Sequence, residues 1–248
     1  MMKASGQPVA LVTGAARRIG AVIARTLHAA GYDVALHCRH SVGERDALIA
    51  ELESQRADST LGLQADLAES DRLPELVGQA VARFGRLDAL VNNASSFYPT
   101  VLGEITARQC DELFAANARA PLLLAQAAAP HLKAARGAIV NIVDIYAQRP
   151  LPQHAAYCMS KAALAMATLS LAQELGPEVR VNGVAPGAVL WPESGKEYAD
   201  RQAIVARTPL GRAGSPQDIA GAVLWLLKEA PFVTGEIIRV DGGRALAI

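Results

Sequence analysis

Tyr157 and Lys161 stand four residues apart in Tyr157-Cys158-Met159-Ser160-Lys161, a spacing that puts both side chains on one face of a helix. A tyrosine hydroxyl ordinarily ionises near ~10 and exchanges protons poorly at neutral pH. An ammonium group alongside favours the phenolate and lowers that value, so the pair is a candidate general acid/base. Alone, such a spacing is common on helix surfaces. Its weight depends on what the rest of the chain places around it.

A second chemical signal lies near the start. The apolar run 9–13 leads into Thr13-Gly14-Ala15-Ala16-Arg17-Arg18-Ile19-Gly20, and an Ala-rich periodic stretch follows. Glycines in a strand-to-helix turn let the backbone approach a pyrophosphate, and the helix N-terminus adds free N–H groups and positive potential. The middle glycine of the dinucleotide fingerprint is replaced by Arg18, which puts a cation where phosphate is expected. Gly14, Arg17, Arg18, Ile19 and Gly20 are therefore candidate cofactor contacts. A NAD site places Asp or Glu at the end of the second strand, but here that strand ends His37-Cys38-Arg39-His40-Ser41. Asp33 is the nearby acid, and it falls at the wrong end of the strand. His37, Arg39, His40 and Ser41 are read as contacts, with the last three offering donors for a 2′-phosphate. The expected cofactor is NADPH (NADP+).

The elements that must position these groups follow from hydrophobic pattern. Short, nearly all-apolar runs at 9–13, 34–37, 61–64, 89–91, 138–143, 180–185 and 236–240 read as strands covered on both faces. They alternate with periodic stretches at 19–30, 41–55, 73–84, 108–134, 155–175 and 216–228 that read as helices. This order predicts an α/β protein with a parallel sheet in a single domain, 1–248. The segment 186–214 mixes Pro, Gly, charges and isolated aromatics, and is read as a substrate-binding loop.

Composition narrows the partners. Of 248 residues, 51% are hydrophobic and 19% charged, enough for a large core and against disorder. Lys plus Arg and Asp plus Glu both total 24, which gives no footprint for nucleic acid. No signal or membrane-spanning segment is expected. Cys38, Cys110 and Cys158 form no CxxC pair or ligand cluster, so no metal is expected, and scattered thiols suit the cytoplasm.

Taken in order, Thr13-Gly14-Ala15-Ala16-Arg17-Arg18-Ile19-Gly20, Asn92-Asn93-Ala94, Asn117, the Tyr157/Lys161 segment and Pro186-Gly187 resemble the short-chain dehydrogenase/reductase family over essentially the whole chain. The resemblance implies a Rossmann-like doubly wound sheet of seven parallel strands with the cofactor across the strand C-termini. It implies that Tyr157 is the general acid/base, that Lys161 holds the nicotinamide ribose and that Asn117 supports a proton-relay water. Further cofactor contacts are implied at Asp66, Leu67, Asn93, Ala94, Ser95, Pro186 and Gly187, as is a homotetramer.

One departure carries the substrate reading. Most members of that family place Ser thirteen residues before the catalytic Tyr, to bind a carbonyl oxygen; position 144 here is Asp. An ionised carboxylate repels a developing alkoxide, whereas a carboxyl group can hydrogen-bond ring nitrogens and help protonate one. Together with Arg18, Ser95-Ser96-Phe97 and the turn after the second strand, Asp144 resembles the pteridine reductase branch. That resemblance implies a pterin or folate substrate between Phe97 and the nicotinamide, bonded by Ser95, Asp144 and Tyr157 with Arg18 nearby. Leu190 and Trp191 are added as loop contacts, Tyr146 as either pocket wall or packing, and Cys158 as inert. His154 and Arg149 receive no role. Reduction of a dihydropterin, with dihydrofolate or oxidised pterins as further substrates, is the expected reaction. A ketone reductase, such as one acting on 3-oxoacyl thioesters, is the alternative; an idle NADP-binding sensor is a third reading.

Overall fold

The computed structural model describes residues 6–189 and 201–247. Seven parallel strands form one sheet: β1 (Val9–Val12), β2 (Asp33–Cys38), β3 (Thr60–Gln64), β4 (Ala89–Asn92), β5 (Ala138–Ile142), β6 (Arg180–Pro186) and β7 (Ile237–Val240). Their order across the sheet is β3-β2-β1-β4-β5-β6-β7. The direction of strand addition therefore reverses at β1, whose Val12 pairs with Leu36 on β2 and Val91 on β4. A reversal of this kind opens a crevice at the C-terminal ends of the strands.

The apolar runs are continuous because both faces are covered. Along β1, Ala10 and Val12 join the core beneath α1 (Arg18–Ala29), α2 (Val42–Gln55) and α8 (Pro216–Lys228). Val9 and Leu11 point the other way, into the core formed with α3 (Leu73–Phe84), α5 (Ala120–Ala135) and the end of α6 (Ala155–Leu175). The period-two alternation of strand side chains divides one four-residue strand between two cores. α6 is the one described helix long and apolar enough to cross a membrane. It buries Tyr157, Lys161, Leu164, Thr168 and Leu171, as a core helix does.

Two expectations are corrected. The continuous helix over 108–134 is instead α4 (Ala107–Phe114), a π-helical turn (Ala115–Arg119) and α5. Pro121 has no N–H to offer the carbonyl four residues earlier, and Ala120 N–H bonds the carbonyl of Ala115, five residues back. The widened turn buries Asn117 completely, in keeping with the frequent use of π-turns at functional sites. Within the segment 186–214, residues Arg201–Ala206 form a short helix, α7, rather than loop.

Candidate active site

A cleft of about 400 Å³ lies at the sheet's reversal point. Gly14, Arg17, Arg18, Ile19 and Gly20 line it from the first turn, His37, Arg39, His40 and Ser41 from the end of β2, Asp66 and Leu67 from beyond β3, and Asn93, Ala94 and Ser95 from beyond β4. The sequence reading missed Ala16, Cys38, Ser96 and Ala116, which line it too; small or apolar residues carry no chemical signal of their own. Among the cofactor candidates, Tyr157, Lys161, Pro186 and Gly187 lie outside this lining. Pro186 is buried at the end of β6, and Gly187 N–H bonds the carbonyl of Val240.

The first turn is folded tightly against the end of β4. Asn93 Nδ2 donates to the carbonyls of Thr13 (2.9 Å) and Gly14 (3.0 Å), and Thr13 Oγ1 accepts from the N–H groups of Asn93 and Ala94, each at 3.0 Å. A Cβ on Gly20 would stand 2.1 Å from the Gly14 carbonyl oxygen, and Gly14 itself has φ +62. Both glycines are thus demanded by backbone packing. Arg18, where the fingerprint has glycine, adopts φ 55, a left-handed conformation unusual for an arginine. His37 proves to be a pin rather than an open ligand group. Its Nδ1 accepts from Gly14 N–H at 3.3 Å, its Nε2 reaches the Ala65 carbonyl at 3.1 Å, and burial lowers its pKa.

The lining fits an anionic dinucleotide. Arg17, Arg18, Arg39 and His40 are exposed along one cleft. Among the described residues lining it, Asp66 is the one acid, and Arg39 pairs with it at 2.8 Å. Asp33 lies at the far end of β2, where it pairs with Arg56 at 3.3 Å. The N-terminus of α1 adds main-chain donors and favourable potential beside Arg17 and Arg18.

Beyond the cleft, Tyr157 Oη donates to Asp144 Oδ2 at 2.6 Å. Asp144 Oδ1 accepts from Tyr146 N–H at 2.9 Å, capping a short turn at Ile145–Ala147. Asp144 retains some solvent contact, but the surrounding protein desolvates its carboxyl and pushes the pKa upward, against the opposing pull of the Tyr146 and Tyr157 hydrogen bonds and the Lys161 charge. Lys161 is buried, donates to the Ile142 carbonyl at 2.9 Å and lies 5.9 Å from the centre of the Tyr157 ring. Burial lowers its pKa from 10.5 to about 8, with the Asp144 carboxylate opposing the shift.

Asn117 serves as a structural hub. Its Nδ2 donates to Ser96 O and to Ser160 Oγ, each at 2.9 Å, and its Oδ1 accepts from Ser96 N–H at 2.8 Å. Ser95 Oγ donates to the same Oδ1 at 3.0 Å, so this hydroxyl, expected on substrate, is engaged within the protein. Ser160 Oγ donates in turn to the Tyr157 carbonyl at 2.7 Å. Phe97 lies edge-on to Tyr157, with ring centres 4.7 Å apart and planes at 81°. It also stacks on His154, at 4.7 Å and 13°, a contact the sequence reading did not foresee. Tyr146 is buried, while Cys158 Sγ accepts from Leu151 N–H at 3.4 Å, a structural contact. Leu190 and Trp191, the expected loop contacts, lie outside the described residues.

Comparison with known proteins extends the geometry. A family model described as Enoyl-(Acyl carrier protein) reductase matches residues 14–245. Pteridine reductase 1 of Leishmania tarentolae is 37% identical, over 96% of both chains. A granaticin polyketide synthase putative ketoacyl reductase 2 of Streptomyces violaceoruber is 35% identical, again over 96% of both chains. A 3-oxoacyl-(acyl-carrier-protein) reductase of Staphylococcus aureus is 33% identical, over 94% of this chain and 96% of its own. With its seven-stranded parallel sheet, its crevice and its Tyr157/Lys161 pair, the chain belongs to the short-chain dehydrogenase/reductase family and is an oxidoreductase of that family.

Proposed function

We propose that this protein reduces a dihydropterin to its tetrahydro form with NADPH, and that dihydrofolate and oxidised pterins are further substrates of the same site. The observation that carries this reading is the 2.6 Å hydrogen bond from Tyr157 Oη to Asp144 Oδ2. Reducing a C=N bond requires hydride on carbon and a proton on nitrogen. NADPH supplies the hydride when bound. The chain's part is to hold and deliver the proton. A carboxyl group whose pKa is raised by burial stays protonated to higher pH than usual, and Tyr157 shares its proton. Two oxygen acids side by side match a ring edge that presents nitrogens.

Lys161, kept from solvent, holds the ribose of the nicotinamide in this reading. Asn117 fixes the strand-to-helix segment that carries Ser95 and Ser96. Arg39, His40 and Ser41 favour the 2′-phosphate, Asp66 and Leu67 flank the adenine, and Phe97 offers a flat apolar surface to the pterin. The segment 186–214, of which Arg201–Ala206 is helical, is the element proposed to bind substrate. The pteridine reductase among the relatives supports this reading, and the ketoacyl reductases at similar identity favour reduction of a 3-oxoacyl thioester instead. Asp144 argues against the latter, because its oxygens accept from Tyr157 and Tyr146 where most family members offer a serine hydroxyl to the carbonyl oxygen.

Three free cysteines suit the cytoplasm. Exposed Leu122, Met159, Met166 and Leu169 on α5 and α6 supply apolar surface for a homotetramer. The test of function is NADPH oxidation with dihydrobiopterin, dihydromonapterin, dihydrofolate and an acetoacetyl thioester, compared by kcat/KM. A preference for the thioester over every pterin would reverse the assignment.

A further inference from the structure

We propose that His154 is a positioning residue for the substrate, acting through Phe97 as the rigid backing of a stacking plate. The inference rests on the pterin reading above. The imidazole lies nearly parallel to the Phe97 ring, at 4.7 Å and 13°, and so braces that ring from one side. Tyr157, in the first turn of the helix that begins just after His154, meets Phe97 at 81°. The ring that would stack on substrate is thereby fixed directly against the hydroxyl-bearing residue that would protonate it.

His154 is itself held from several directions. Its Nδ1 reaches the Pro152 carbonyl at 2.8 Å, and its backbone forms a bridge with Thr100. Thr100 N–H donates to the Gln153 carbonyl at 2.6 Å, and Ala156 N–H to Thr100 Oγ1 at 3.4 Å. The segment carrying Phe97 is thus clamped to the start of α6 just beyond the ring. A stacking surface held in place before substrate arrives spares the ordering cost of binding.

The test is steady-state kinetics and pterin binding with His154→Ala and His154→Phe, using dihydrobiopterin and NADPH. Loss of one aromatic contact raises KM for dihydrobiopterin by roughly three- to tenfold in His154→Ala, with kcat little changed. His154→Phe, which keeps a flat ring, restores KM to within about twofold. NADPH binding stays unchanged in both, because His154 lies outside the cofactor cleft. An unchanged KM in His154→Ala would overturn the inference. A lowered KM would also overturn it, since His154 would then be occupying the substrate's place. Should the wild type neither bind nor reduce any pterin, the substrate reading fails and takes this inference with it; normal wild-type turnover with an indifferent His154→Ala removes the inference alone.

Discussion

Replacing Lys161 by Met is expected to abolish turnover and to make the ligand-free fold more stable. The ammonium is buried against the Ile142 carbonyl, and burial lowers its pKa from 10.5 to about 8. That difference corresponds to about 3 kcal/mol charged against the folded state at neutral pH. Losing the hydrogen bond to Ile142 returns about 1 kcal/mol, which leaves the variant ahead by about 2 kcal/mol, or roughly 4–8 °C in thermal midpoint for a chain of this size. The sign is set by proton binding. Between pH 8 and 10.5 the unfolded chain holds the Lys161 proton and the folded one does not, so Lys161's contribution to stability rises through that window. Methionine has no such dependence, and its advantage must shrink over the same range. Urea unfolding of both proteins at pH 7, 8, 9 and 10 measures this directly. A variant less stable than wild type at pH 7, or an advantage that does not decline with pH, would refute the reasoning.

Arg39→Ala is expected to raise KM for NADPH roughly 10- to 100-fold, the value of charge-assisted bonds to a phosphate, and to leave KM for NADH nearly unchanged; parallel titrations check it. Asn117→Ala leaves the buried partners on Ser96 and Ser160 without their bonds, so the fold should lose about 2–4 kcal/mol in urea unfolding. A loss under 1 kcal/mol would remove Asn117 from its place as a hub.

Much of the scaffold was legible because a parallel sheet covered on both faces writes itself as short apolar runs, and all seven described strands were found that way to within a residue at each end. The break between α4 and α5 was less visible. Pro121 was in plain view, but proline in the first turn of a helix is ordinary, and the bonds that hold Asn117 in the widened turn run to Ser96 and Ser160, far away in sequence. The same limit applies in the site. Tyr157, Lys161 and Asp144 could be singled out by type and spacing. The partners of Ser95 and Phe97 are separated from them by long stretches of chain, at Asn117 and His154, and no local pattern announces them. His37 was placed in the right cleft, but its two internal hydrogen bonds depend on where the first turn and Ala65 come to rest.

Asp144→Ser is the most direct test of the central claim, measured as kcat/KM for dihydrobiopterin and for an acetoacetyl thioester in the same preparation. Removing a proton-sharing carboxyl costs roughly a hundredfold or more in the pterin reaction. The hydroxyl left in its place should raise thioester reduction, since it can donate a hydrogen bond to the developing alkoxide. Dihydrobiopterin turnover equal to that of the wild type would contradict the account, because the Tyr157–Asp144 hydrogen bond would then have no part in delivering the proton.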